Sequence, residues 1–207
     1  MRARENPFRT ERLRALPFRR RAHLQRDGPA APRLRDELST AGGRAAIVGP
    51  HGSGKTTLLH ELGQQLEADG FRLTRGFLND ALRTPPLRHW LGLASSLGAE
   101  DAVLFDGFER LSRLHRRALG LAASRAGRLI ATSHYETPYP TLIRTSTDSE
   151  LLRELTAELI GPASARIGGL LDELREQHRG NLRDVFLALY DLVAREDPRV
   201  AELGPYG

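Results

Sequence analysis

The chain has no cysteine, one methionine, one tryptophan and, among thirty-one basic residues, a single lysine. Without cysteine there are no disulfides, no thiolate metal sites and no cysteine nucleophile, and the seven histidines are scattered without ligand spacing. No segment approaches the roughly 18 to 20 uncharged apolar residues that a membrane-spanning helix needs. The N-terminus also lacks the apolar run of a signal peptide, so the reading is a cytoplasmic protein with no membrane partner. At 40% hydrophobic and 28% charged residues the composition is that of a globular chain. A length of 207 residues allows one sizeable core and a small satellite unit, not two full domains.

Charge is unevenly placed. Residues 1 to 35 hold eleven arginines against Glu5, Glu11 and Asp27, while the rest of the chain is slightly acidic, so the net +5 comes entirely from an N-terminal arm. Pro7, Pro17, Pro29 and Pro32 interrupt that arm and leave room only for short helices, with RTERLRAL the best candidate. Arginines interleaved with Phe8, Leu13 and Phe18 suit a phosphate backbone such as DNA. They equally suit an acidic patch on this protein or on a protein partner, with the phenylalanines as anchors.

After Gly42-Gly43 the pattern becomes regular. AAIV reads as a buried strand leading into a glycine-rich loop, and a helix follows from Lys55 to Ala68 with Leu58, Leu59, Leu62 and Leu66 on one face. FRLTRGFL reads as a second strand, and Thr84 with two prolines opens a helix carrying Leu87, Trp90, Leu91, Ala94 and Leu97. AVLFD and RLIATS are continuous apolar runs of the kind buried on both faces of a sheet, with a helix between them, and TLIRT forms a short fifth strand. Strands alternating with helices imply a parallel sheet with right-handed crossovers. From Thr147 onward only helices are expected: one with Thr147 and Glu150 at capping-box spacing, one from Ser164 to His178, and one from Leu182 to Arg195 after Gly180-Asn181. The expected division is a basic arm at 1–41, an α/β core at 42–146 and a helical lid at 147–207.

Gly49-Pro50-His51-Gly52-Ser53-Gly54-Lys55-Thr56 fits G-x-x-x-x-G-K-[ST], between a buried strand and an amphipathic helix. Its glycines allow backbone turns that aim N–H groups inward, and the helix N-terminus adds its positive dipole end, which together bind phosphate. Lys55 then reaches the β- and γ-phosphates of ATP, Thr56 ligates Mg2+, and Thr57 continues the first turn. Lys55 is the chain's only lysine. In a chain that uses arginine everywhere else, it stands where a compact ammonium works and a planar guanidinium does not.

A phosphate loop of this kind needs a carboxylate at the end of a neighbouring strand to hold the Mg2+ shell, and Asp106 ends AVLFD. No glutamate follows it directly. Glu109 serves as the residue that polarises water if the chain turns sharply at Gly107; otherwise it is a first-turn acid of the next helix. Thr132, Ser133 and His134, at the end of the following strand, are equally placed to report on the γ-phosphate or the water.

Strand, phosphate loop and helix, then VLFDGFE, IATS and a helical tail with HRGNLRDVFLALYDL, together resemble the AAA+ P-loop ATPases over residues 42 to 195, particularly the origin-recognition and transposition-type branch. That resemblance implies a three-layer αβα P-loop NTPase fold with a five-stranded parallel sheet and a small C-terminal helical lid. It also implies assembly into homo-oligomeric rings or helices, and an NPF segment that helps cover the base. It makes Arg183, in Gly180-Asn181-Leu182-Arg183, the lid arginine that touches the γ-phosphate. Asp106-Gly107-x-Glu109 is also similar to the DGxDE pattern of STAND signalling ATPases, many of which are slow switches. No finger arginine stands out among Arg116, Arg117, Arg125, Arg128 and Arg144, and the lack of an LSGGQ-like signature before Asp106 excludes transporter-type ATPases. Three functions follow: an ATP-hydrolysing regulatory or assembly ATPase, a nucleotide-gated binding module with little turnover, and a small-molecule P-loop kinase.

Overall fold

A computed structural model describes residues 6–16, 30–78 and 85–203. Its contacts divide the chain into two units. The sheet unit takes in Asp27–Gly49 and Gly54–Thr145; the helical unit takes in Met1–Arg26, Pro50–Ser53 and Ser146–Gly207.

The sheet unit is built on five parallel strands: β1 (Arg44–Val48), β2 (Arg72–Phe77), β3 (Asp101–Asp106), β4 (Arg128–Ser133) and β5 (Thr141–Arg144), in the order β2-β3-β4-β1-β5. β4 lies between β1 and β3. Burial is nearly complete along β1, β3 and β4, whose polar side chains stand at or near the strand ends, whereas edge strand β2 is half exposed.

Alternation along the central strands sorts their side chains between two helical layers. Val103, Phe105, Leu129 and Ala131 pack with Trp90 of α4 (Leu87–Ser96), with Leu97 just after it, and with Leu119 and Ala122 of α5 (Arg113–Ala122). Leu104 faces the other way, toward α3 (Lys55–Ala68), where a Cβ at Gly63 would lie 2.7 Å from its Cδ1. A glycine there lets helix and sheet approach closely. α2 (Ala30–Thr40) lies against α3, with Leu34 and Leu38 fully buried. The sequence reading places only short helices in this region, yet an eleven-residue helix forms because Pro32 falls in its first turn, where a missing N–H costs nothing.

Two further differences have local causes. Only Trp90 and Leu97 of the expected α4 stripe are fully buried; Leu91 is 69% exposed, because the helix is rotated to seat the indole. Thr84 and the rest of 79–84 lie outside the described residues. In the helical unit, α6 (Ser149–Ile160) is capped by Asp148, whose carboxylate accepts from Leu151 N at 2.8 Å, and not by Thr147. An aspartate one residue closer supplies both the acceptor and a charge favoured by the helix dipole.

The helical unit contains α1 (Thr10–Ala15), α6, α7 (Gly168–Gln177) and α8 (Leu182–Ala194), with a short 3-10 segment over Gly161–Ile167 before α7. Leu152, Leu171, Leu182, Val185 and Leu189 form its core. The NPF segment belongs to this core. Asn6 is buried, donates through Nδ2 to Tyr190 O at 2.9 Å and accepts from Phe8 N at 3.0 Å, while Phe8 stacks on Phe186 with ring centroids 6.3 Å apart. One of the arm's phenylalanines is therefore an internal anchor; Phe18 lies outside the described residues. Phe8→Ala is expected to destabilise the protein by about 3–5 kcal/mol, measured by urea unfolding.

Candidate functional site

β1 delivers the chain to Gly49, whose N–H donates to Ser133 O at 3.1 Å and so ties the start of the loop to the end of β4. Gly54 precedes α3 in the left-handed conformation, φ 82°, which other residues adopt only under strain. The first turn of α3 holds no acidic residue and no side chain caps it, leaving its N–H groups to an anion. Thr56 and Thr57, in that turn, are exposed.

Lys55 is buried, only 8% exposed. Its ammonium donates to Gly49 O at 2.8 Å and lies 3.3 Å from His134 Nδ1. Burial pulls its pKa below the ordinary lysine value, and the charges of Glu109 and Asp106 offset part of that effect. On the far side of the imidazole, His134 Nε2 lies 3.3 Å from Glu109 Oε1. His134 Nδ1 also lies 3.1 Å from Gly49 O, so the imidazole sits among an ammonium, a carbonyl and a carboxylate. Lysine, histidine and glutamate thus form a chain through the site.

Glu109 reaches this place because the backbone turns at Gly107, φ 89°, into a single 3-10 turn over Phe108–Arg110. A Cβ at position 107 would sit 2.5 Å from Leu78 O, so the turn requires glycine for space as well as for φ. Arg116 braces it from α5, donating to Glu109 O at 2.7 Å with its guanidinium 5.3 Å from the Phe108 ring centroid. Glu109 Oε2 is buried with no hydrogen-bond partner among the described residues. An acceptor of that kind is poised for water or another donor.

Asp106 is held on both oxygens by hydroxyls. Thr56 Oγ1 donates to Oδ2 at 2.8 Å, and Thr132 Oγ1 makes a short hydrogen bond to Oδ1 while also accepting from Gly107 N at 3.0 Å. Among the described residues no three metal-ligating side chains gather. A hydroxyl beside a carboxylate instead suits a hard cation that keeps water and phosphate oxygens as its remaining ligands, which is the habit of Mg2+.

Lys55, Thr56, Asp106, Glu109 and His134 therefore come together in the sheet unit. Ser133 does not join them: it is buried, and its hydroxyl accepts from Tyr135 N at 3.1 Å. Thr132, left open among three neighbours in the sequence, is the one that reaches Asp106; the period of two along β4 puts it on one side and Ser133 on the other. Of the arginines weighed as fingers, Arg116 is taken up by the Glu109 turn, Arg128 lies over the Phe71 ring and Arg144 pairs with Glu136.

Within the helical unit, Ser53 Oγ donates to Pro50 O at 2.8 Å, and His51 and Gly52 are exposed. A Cβ at Gly52 would collide with Asn181 Oδ1 and lie 2.9 Å from Leu182 N, so this crown of the loop sits at the start of α8. Asn181 caps α8, accepting from Arg183 N at 3.2 Å and donating to Asp184 at 2.6 Å. The Arg183 side chain is exposed, one residue into the helix.

No protein-family model matches the chain. No curated protein matches it either. Among solved structures it is similar to a chain of Drosophila ORC bound to DNA, with 12% identity and a TM-score of 0.44, covering 84% of this chain. It spans 63% of the length of that chain. Nothing about activity transfers at that level of likeness.

Two outcomes follow from the site's geometry. Thr132→Val, which leaves Gly107 N–H unpaired in the interior, is expected to cost about 1–3 kcal/mol in urea unfolding, while Thr132→Ser retains most of the stability. Lys55→Met is expected to raise the melting temperature at pH 7. Because the folded pKa is lowered, folding disfavours the charged lysine; that cost is fully present below the folded pKa and fades as pH rises from there to the unfolded value. The stability gap between variant and wild type should therefore narrow at alkaline pH.

Proposed function

We propose that this chain is an AAA+-type ATPase that binds ATP with Mg2+ on the Gly49–Thr56 loop and hydrolyses it as a regulatory or assembly switch. The reading rests on one juxtaposition: Thr56 Oγ1 lies 2.8 Å from Asp106 Oδ2, at the mouth of a loop whose buried lysine meets His134 at 3.3 Å. Thr56 and Asp106 would hold Mg2+, which when bound neutralises charge on phosphoryl oxygens. Backbone groups of Gly49, Pro50, His51, Gly52, Ser53 and Gly54 would cradle the phosphates, with Lys55 supplying the charge. Glu109, with its unpartnered Oε2, is the group to orient and deprotonate water, and His134 holds its other oxygen in place. Arg183 is the lid arginine that the family resemblance assigns to the γ-phosphate.

A second reading, a nucleotide-gated module with little turnover, is favoured by a specific observation. Glu109 Oε1 is engaged by His134 at 3.3 Å and has Arg110 at 3.9 Å, an arrangement that ties down half of the carboxylate. The arm's excess of arginine supports an anionic partner, DNA or an acidic protein surface, and the resemblance supports a homo-oligomer.

ATP binding and phosphate release by the purified protein separate the two readings. For the ATPase, steady release is expected, and Glu109→Gln should lower it by about 10²–10⁴-fold while ATP still binds. Tight binding without release in the wild type supports the gated module. Release at the wild-type rate in Glu109→Gln removes the role given to that residue.

A further inference from the structure

Residues 110–135 contain six arginines and two histidines but no aspartate or glutamate, and residues 85–99 add Arg88 and His89, again without an acid. The structure packs these stretches side by side as α4 and α5. Their inner faces enter the core through Trp90 and Leu119. Their outer faces carry leucines at helical spacing: Leu87 and Leu91 are 41% and 69% exposed, and Leu114 and Leu121 are 57% and 69% exposed.

The arginines of this region divide into two groups. Arg110, Arg116 and Arg128 are engaged within the unit, beside Glu109 Oε1, onto Phe108 with Glu109 O, and onto Phe71 respectively. Arg88, Arg113, Arg117 and Arg125 are exposed and make no ion pair with any described residue. Arg117 lies between Leu114 and Leu121 on one helical face, at i+3 and i+7 of the same stripe.

Four unpaired guanidinium groups interleaved with four exposed leucines call for a partner that offers both carboxylates and apolar side chains. A nucleic-acid backbone meets the arginines and leaves the leucines in water. An acidic amphipathic helix meets both, its apolar stripe covering the leucines and its flanking carboxylates forming bidentate pairs with the arginines. We propose that the α4–α5 surface is a docking site for an acidic amphipathic helical segment of another protein. The arginines set encounter rate and orientation; the leucines hold the complex.

Fluorescence anisotropy of the full chain with a labelled synthetic peptide, glutamate-rich with leucines at i, i+3, i+4 and i+7, tests this. The same residues in scrambled order, a short DNA duplex and a leucine-free acidic peptide serve as comparison probes. Saturable binding is expected for the amphipathic peptide, weakened at least about tenfold by scrambling and by Leu91→Ser with Leu121→Ser. Arg113→Ser with Arg117→Ser should weaken it most at low salt. All four substituted side chains are exposed, and unchanged melting temperatures confirm intact variants. Equal affinity for the scrambled or leucine-free peptide, binding of the duplex alone, or indifference to the leucine substitutions overturns the proposal. So does concentration-dependent sedimentation of the wild type that Leu91→Ser with Leu121→Ser abolishes, since the surface would then belong to a second copy of the chain.

Discussion

The carboxylate of Asp106 accepts one hydroxyl hydrogen on each oxygen, from Thr56 on α3 and Thr132 on β4, and most of the site's geometry depends on that clamp. It can form only if β3 and β4 are neighbours in a register that sets Phe105 beside Ala131, so that the next residues, Asp106 and Thr132, meet at the carboxyl edge of the sheet. It also needs α3 to start where β1 ends, which the left-handed Gly54 arranges. The same threonine accepts from Gly107 N and fixes the turn that carries Glu109 inward. A single parallel register thus aligns a hydroxyl, a carboxylate and a second carboxylate contributed by separate elements.

Electrostatics in this cluster are matched but not relaxed. A lysine confined to 8% exposure carries a desolvation cost that the charges of Glu109 and Asp106 only partly offset. His134 links the ammonium to Glu109 and leaves one glutamate oxygen without a partner. An interior that holds an under-compensated cation beside an unsatisfied acceptor carries a cost in stability. Elsewhere the same unit is well sealed, with the faces of β1, β3 and β4 buried beneath helices on either side.

Much of the fold was legible because its signals are local. Three of the strands, β1, β3 and β4, announced themselves as apolar runs, and α3 was readable to its ends, since the glycine-rich loop fixes its start and Leu58, Leu62 and Leu66 its buried face. Where the reading failed, the sequence pattern left more than one outcome open. α2 forms despite Pro32 because Leu34 and Leu38 find a buried place. Leu91 faces water because Trp90 takes the inward position, a choice between adjacent large side chains that periodicity alone does not make. Asp148 displaced Thr147 as cap because either residue satisfies the local pattern and only backbone geometry distinguishes them.

For the site, the sequence by itself determined the chemical cast: the glycine-rich loop, the lone lysine, the threonine after it and the aspartate closing an apolar strand. Each belongs to a short contiguous motif, and a contiguous motif fixes its own backbone. Tertiary structure alone decided which side chains meet. It chose Thr132 over Ser133 by the pleat of β4, brought Glu109 inward through the turn at Gly107, and set His134 between Lys55 and Glu109. Those contacts join residues about 25 to 80 positions apart, and sheet order and register, not local propensity, bring such residues within hydrogen-bonding distance.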